Sequence, residues 1–248
     1  MTTFSKSVAL SFFSSIFCCI FITIQAQNPR TNADFFQIAT SNSTYDWIEV
    51  RPELQLSVEE FLACKAALDL SSDDGLVLLK VQRDELGKIH YRYQQTYKGI
   101  PVAHAQLLVH VGADDFVESA NGRLIRNLHG KPTPSFSAEK ALKAYALPYM
   151  NAEKYAWEDE VHQKLIQKIK KDSKATFYPE GKLEWATSDF SNRNAENYRL
   201  TYQLDVYAIH PMKNVGLYID TQNGQIVNEL SNMYDVDIDE GVNDHFLH

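Results

Sequence analysis

The stretch from His90 to Gly122, HYRYQQTYKGIPVAHAQLLVHVGADDFVESANG, restricts the fold more than any other part of this chain. Ile89, Tyr91, Tyr93, Gln95 and Tyr97 share one face of an extended run, with His90, Arg92, Gln94, Thr96 and Lys98 on the other. Lys98-Gly99-Ile100-Pro101 reads as a four-residue turn. Beyond it, Ala103, Ala105, Leu107, Val109 and Val111 alternate against His104, Gln106, Leu108 and His110. Alternation with period two around a Gly/Pro turn predicts an antiparallel hairpin with one buried face. Gly112-Ala113-Asp114-Asp115 then turns the chain into Phe116–Ala120, which Asn121-Gly122 ends.

The rest of the chain falls into place around that hairpin. Residues 27–50 are polar and irregular, a leader with one short helix near Phe35. Ser57-Val58-Glu59-Glu60 forms a capping box for a first helix, whose apolar stripe is Val58, Phe61, Leu62 and Leu68. Asp73-Asp74-Gly75 stops it and Leu76–Arg83 reads as a strand. Lys131-Pro132-Thr133-Pro134 is the natural linker, because closely spaced prolines break regular structure.

Past the linker the plan repeats. Ser137 caps a helix with Ala138, Ala141, Leu142 and Tyr145 on one face, and Pro148 is expected to end it. A third helix, from Trp157 to Lys171, carries Trp157, Val161, Leu165 and Ile169 on one side and lysines on the other. Strands are expected at 174–178, Leu183–Thr187, Tyr198–Val206 and Val215–Asp220. Asn223-Gly224, a strong short hairpin signal, returns the chain through Gln225–Leu230.

Composition narrows the compartment and the partners. A formal charge of −8 argues against nucleic-acid binding, which needs a cationic footprint. Lys6 precedes an apolar and hydroxylic run from Val8 to Ile24, followed by Ile24-Gln25-Ala26. That pattern predicts an export signal cut between Ala26 and Gln27, with a signal anchor as the rival reading. After such a cut Cys64 stands alone, so neither an internal disulfide nor a cysteine-held metal is expected, nor stable membrane insertion.

The string YRYQQTYKGIPV, followed by a strand and an Asn-Gly turn, resembles the core of the fungalysin/thermolysin propeptide (FTP) domain. In this sequence the matching residues are Tyr91, Arg92, Tyr93, Gln95, Tyr97, Gly99, Pro101, Val102, Asn121 and Gly122. KATFYPEGKL, NYRLTYQLDVY and VGLYIDTQNGQIV, with Tyr202, Asp220 and Gly224, resemble the PepSY-type lobe that follows that module in thermolysin-like precursors. The two resemblances together cover roughly residues 50–232. They imply an α+β fold of two cystatin-like lobes, each with helices on an antiparallel sheet. Expected boundaries are a signal at 1–26, a leader at 27–50 and an FTP-like lobe at 51–130. A linker at 131–134, a PepSY-like lobe at 135–232 and an acidic tail at 233–248 complete them.

The residues that would do chemistry are missing. In such precursors the catalytic domain carries H-E-x-x-H, two zinc-binding histidines one helical turn apart with a glutamate as base. None of His90, His104, His110, His129, His162, His210, His245 and His248 starts that motif. His104 and His110 share a strand face, but a pair without a third ligand makes a weak zinc site. An EF-hand beginning at Asp235 fails, because Glu240 and Phe246 occupy the positions of the required Gly and Glu. No catalytic residue and no cofactor is therefore expected; zinc and calcium would belong to a catalytic domain that this sequence lacks.

What the resemblance implies is a secreted module that assists folding of a thermolysin-like catalytic domain and inhibits it, in cis or in trans. In that arrangement the segment after Leu230 enters the substrate cleft. A stand-alone extracellular or periplasmic peptide- or protein-binding module is the alternative, and a fragment of an active metallopeptidase precursor is the next.

Overall fold

The computed structural model describes residues 33–232. The expected signal, its cleavage pair Ala26 and Gln27, and the acidic tail lie outside the described residues.

The fold is α+β and has two lobes, each a helical layer on an antiparallel sheet. In the first, helix α1 (Phe35–Ile38), strand β1 (Trp47–Glu49) and helix α2 (Val58–Ala63) precede four long strands. These are β2 (Asp74–Arg83), β3 (Ile89–Tyr97), β4 (Ile100–Val111) and β5 (Val117–Arg123), all paired antiparallel. Phe35, Ile48, Phe61 and Leu68 cover Tyr93, Leu107, Val109 and Ala120 to make the first core. Burying side chains of this size is worth roughly 1.5–3 kcal/mol each.

The second lobe starts with a composite helix: an α-turn at Ala138–Lys140, a π-helical stretch at Ala141–Ala146 and an α-turn at Leu147–Met150. Strand β6 (Lys154–Tyr155), helix Glu160–Lys170 and strands β7 (Lys182–Ala186), β8 (Arg199–His210), β9 (Met212–Asp220) and β10 (Ile226–Ser231) follow. Leu142 and Ala146 pack on Leu204, Val206, Leu217 and Ile219 in a second core.

Several sequence expectations need correction. The hairpin turn is two residues, not four: Lys98 and Gly99 take φ of 50° and 76°, and Ile100 and Pro101 already belong to β4. Two successive left-handed residues match the twist of the flanking strands, which is what a tight hairpin turn needs. The polar leader contributes β1, because Ile48 and Val50 are apolar enough to be buried beside β5. Helix α2 ends at Ala63, so Leu68 reaches the core from a turn rather than along a helical stripe.

Pro148 does not stop its helix. The π-helical stretch ahead of it widens the ladder, and the chain runs on to Met150 before Asn151 caps it in the left-handed region. The Glu160–Lys170 helix buries a different side from the expected stripe. Val161, Leu165 and Ile169 are exposed, and Ile166 is the buried residue. Residues 174–178 form no strand.

The largest departure is that the sheets are continuous. Residues Gln94 and Thr96 of β3 face Gln106 and Pro101 of β4, so β4 carries three extra residues in a bulge. Gln94 closes that bulge by donating from Nε2 to the carbonyls of Val102 (2.7 Å) and Ala105 (3.0 Å). His104, inside it, has φ of 57°. The bulge breaks the simple alternation, burying Val102 beside Ala103 and Ala105. It also brings Val102 into a parallel pair with Trp185 of β7. One ladder thus runs β1-β5-β4-β7-β8-β9-β10, with β2 and β3 branching from β4.

Candidate functional site

The residues that carry the propeptide resemblance are construction elements. Gln95, fully buried, donates from Nε2 to Asp74 Oδ1 (3.0 Å) and the Ile125 carbonyl (2.7 Å), and its Oε1 accepts from Ile125 N–H (2.8 Å). Both of its amide donors and its oxygen are engaged, tying β2, β3 and the chain after β5 together. Tyr97 stacks edge-on against Trp185, with centroids 5.4 Å apart, and its carbonyl accepts the indole N–H at 3.1 Å. Tyr93 is buried, Tyr91 is half-buried against the first core, and Arg92 reaches outward to Gln106 Oε1 (3.0 Å).

Two glycines are sterically required. A side chain on Gly122, at φ of 148°, would put its Cβ 2.2 Å from the Gln106 carbonyl oxygen. On Gly224 it would lie 2.3 Å from the Tyr145 ring. Asp220 orders the same hairpin by accepting Gln222 N–H at 2.7 Å, and Tyr202 donates its hydroxyl to the Phe136 carbonyl at 2.9 Å. Gly99 supplies the tight turn, Pro101 and Val102 lead into the bulge, and Asn121 accepts from the His110 ring (2.6 Å).

Two polar features escaped sequence reading. Arg126 is buried, with its guanidinium 3.9 Å over the Tyr45 ring and its Nε donating to the Leu68 carbonyl; desolvation pulls its pKa down to about 10. On the outer face of the second sheet, burial raises the Glu184 carboxyl, Lys182 offsetting and Asp205 adding to the effect. Burial, with Glu184 and Asp205 behind it, pushes the Tyr218 phenol far up as well. Neither feature had a local signal, since both depend on chain segments that meet only after folding.

Among the described residues no three His, Cys, Asp or Glu side chains come together as a metal site. Burial, and secondarily Glu60, raises the Cys64 thiol, which donates to the Glu60 carbonyl at 3.3 Å; it is the wrong environment for a nucleophile. His104 and His110 do not act together. The bulge sends His104 against the Phe190 ring, centroids 4.2 Å apart, while His110 meets His90 across the hairpin.

What the surface offers is contact area. Strand β2 pairs on one side only, with β3, and leaves Val77, Leu78, Leu79 and Val81 about half exposed. An apolar strand with one edge of N–H and C=O groups unpaired is a template for another extended chain. The Val161, Leu165 and Ile169 stripe is a second exposed apolar strip, on the other lobe.

Among the described residues, then, this architecture presents exposed apolar strips and no metal cluster. Residues 74–124 match the Fungalysin/Thermolysin Propeptide Motif family, and the chain carries that motif. It is 28% identical over 159 residues to "Thermolysin" of Alicyclobacillus acidocaldarius subsp. acidocaldarius, covering 64% of this chain and 26% of that protein. To "Bacillolysin" of Bacillus subtilis (strain 168) it is 38% identical over 69 residues, 27% of this chain and 13% of that protein. The chain thus spans about a quarter of the length of the thermolysins it matches, and the motif inside the matched region is a propeptide motif. Among solved structures, the Bacillus megaterium YpeB C-terminal domain aligns at 13% identity and a TM-score of 0.33, over 76% of this chain and 72% of that one. Among the described residues no helix is long and apolar enough to cross a membrane.

Proposed function

We propose that this protein is a secreted propeptide-type module that docks on the catalytic domain of a thermolysin-like zinc metallopeptidase, in cis or in trans. There it assists folding and blocks the substrate cleft. The observation that carries the reading is the propeptide motif at 74–124, which spans β2 to β5 and whose first strand, β2, has an apolar, unpaired outer edge. The physical basis is general. A protease held in its native state by a high barrier needs a surface that lowers that barrier during folding. A stable interface of this kind buries on the order of 1,600 Å² in total.

Export by the N-terminal signal, cut between Ala26 and Gln27, fits that role, as does insertion of the segment after Leu230 into the cleft. This chain supplies no catalytic group of its own; zinc and calcium belong to the partner. Mixing the purified chain with a thermolysin-type protease tests the reading. Inhibition saturating at micromolar module is expected, and undiminished peptide cleavage at that concentration removes the inhibitor role.

The exposed edge of β2 favours one further reading, a stand-alone module that binds extended peptides by strand addition. Recovery of non-protease peptides on the immobilised chain, with no metallopeptidase captured from its host, would select it.

A further inference from the structure

Helix Glu160–Lys170 turns most of its apolar surface to solvent. Of Val161, Leu165, Ile166 and Ile169 only Ile166 is buried; the other three, spaced one turn apart, form a single exposed stripe. Gln163 ties the helix down instead, bonding the Trp157 carbonyl, the Thr176 hydroxyl and the Phe177 N–H. Lys164 and Lys168 border the stripe on the exposed side, and Lys170, Lys171 and Lys174, all exposed, crowd its C-terminal end. Residues 160–174 hold five lysines against Glu160 and Asp172, a local excess of positive charge in a chain of net charge −8. Of these lysines, Lys164 is ion-paired, to Glu160.

We propose that this face binds reversibly to an anionic lipid surface, the stripe entering the headgroup boundary and the lysine ammonium groups meeting phosphates. Aliphatic residues beside a lysine-rich border are what holds a helix in that plane. The kind of cation decides between lipid and protein. Protein interfaces favour arginine and deplete lysine, and residues 160–174 contain no arginine. Lysine's flexible stem lies along apolar surface while its compact charge reaches water and phosphate. Three aliphatic side chains are also too few to make the centre of a protein interface burying on the order of 1,600 Å².

The helix dipole favours cations in a last turn, which accounts for Lys168 and Lys170 but not for the uncovered apolar residues beside them. Screening keeps the acidic remainder of the chain from cancelling the patch, since exposed charges more than about 10 Å apart hardly act on each other in ordinary salt. The acids just ahead of the helix are occupied: Glu158 accepts the Tyr155 N–H, and Asp159 holds Lys154 and His162. Lipid contact here leaves the unpaired edge of β2 open to a protease, so it stands independently of the inhibitor reading.

Flotation with lipid vesicles tests the site, using the exported form from Gln27, which keeps every described residue. Binding is expected to phosphatidylcholine vesicles carrying about a third phosphatidylglycerol, and not to phosphatidylcholine alone. It should fade at about 1 M salt, where the screening length falls to about 3 Å. Lys168→Gln combined with Lys171→Gln should weaken it about 10–30-fold. Leu165→Glu should abolish it, while Leu79→Gln, on β2, should bind as the parent does. Circular dichroism confirms that each variant is folded.

Failure of the folded parent to bind phosphatidylglycerol vesicles would overturn the site. So would undiminished binding by Leu165→Glu, or loss of binding in Leu79→Gln. Capture of the parent by immobilised polyglutamate without vesicle binding would also overturn it, and would assign the lysines to an acidic protein.

Discussion

The indole of Trp185 hydrogen-bonds the backbone of Tyr97 across the two lobes, and the same two rings meet edge to face. Trp185 is almost completely buried, in a third core that also holds Val102, Ile125, Tyr198 and Leu200. Trp185→Ala should therefore cost about 3–5 kcal/mol. Trp185→Phe should cost about 1–3 kcal/mol, mainly by leaving the Tyr97 carbonyl without a donor. Urea unfolding of both variants checks the order, and a negligible loss in Trp185→Phe would mean that the hydrogen bond contributes nothing.

Gly122 and Gly87 separate two causes of glycine preference. Both have positive φ, 148° and 83°, but a Cβ on Gly87 meets nothing within 4 Å. Gly87→Ala should cost only the left-handed backbone penalty, about 1–2 kcal/mol. Gly122→Ala adds a collision with the backbone of β4 and should cost clearly more. Comparing midpoints of thermal unfolding decides it.

Glu184 should make stability fall with rising pH. Burial raises its carboxyl in the folded state, so the folded chain holds that proton at a pH where the unfolded chain has released it. This contribution is fully present below the ordinary glutamate range and is lost as pH rises through the folded value. Glu184→Gln removes the titrating group and should be more stable relative to the parent at pH 7 than at pH 4. A difference that stays constant between those two conditions would refute the assignment.

Asp159 works in the opposite sense. Its carboxylate bonds Lys154 (2.7 Å), the His162 ring (2.7 Å) and His162 N–H (3.2 Å), and these contacts, Lys154 foremost, hold its pKa well below the usual range. Its stabilisation is present above the unfolded value and is lost as pH falls through the folded one. Asp159→Asn should therefore be less stable than the parent at neutral pH, with the gap closing in strong acid.

The edge of β2 gives a test of docking that spares the fold. Leu79→Lys changes a half-exposed side chain and should shift stability by no more than about 0.5 kcal/mol. If β2 is the contact strand, the variant should inhibit a thermolysin-type protease at least tenfold more weakly. Unchanged inhibition would move the contact elsewhere, with the Val161, Leu165 and Ile169 stripe next in line.

Much of the fold was legible because strand periodicity and turn chemistry are local. The capping box at Ser57 and Glu60 forms as read, and so do the β3–β4 and β9–β10 hairpins. The helix Glu160–Lys170 was misjudged because apolar residues recur on more than one of its faces, and only tertiary packing selects Ile166. The bulge in β4 was invisible since Gln94, which closes it, has no distinguishing neighbours in sequence. The candidate site suffered most. Strand parity groups His110 with His104, whereas three inserted residues reassign it to His90.

Because β4 serves both halves of the ladder, chain continuity between residues 130 and 135 is mechanically redundant. A protease nicking that connection would not yield separable pieces. The fragments should stay associated through the buried cluster of Tyr97, Val102, Ile125, Trp185 and Leu200, to which both lobes contribute.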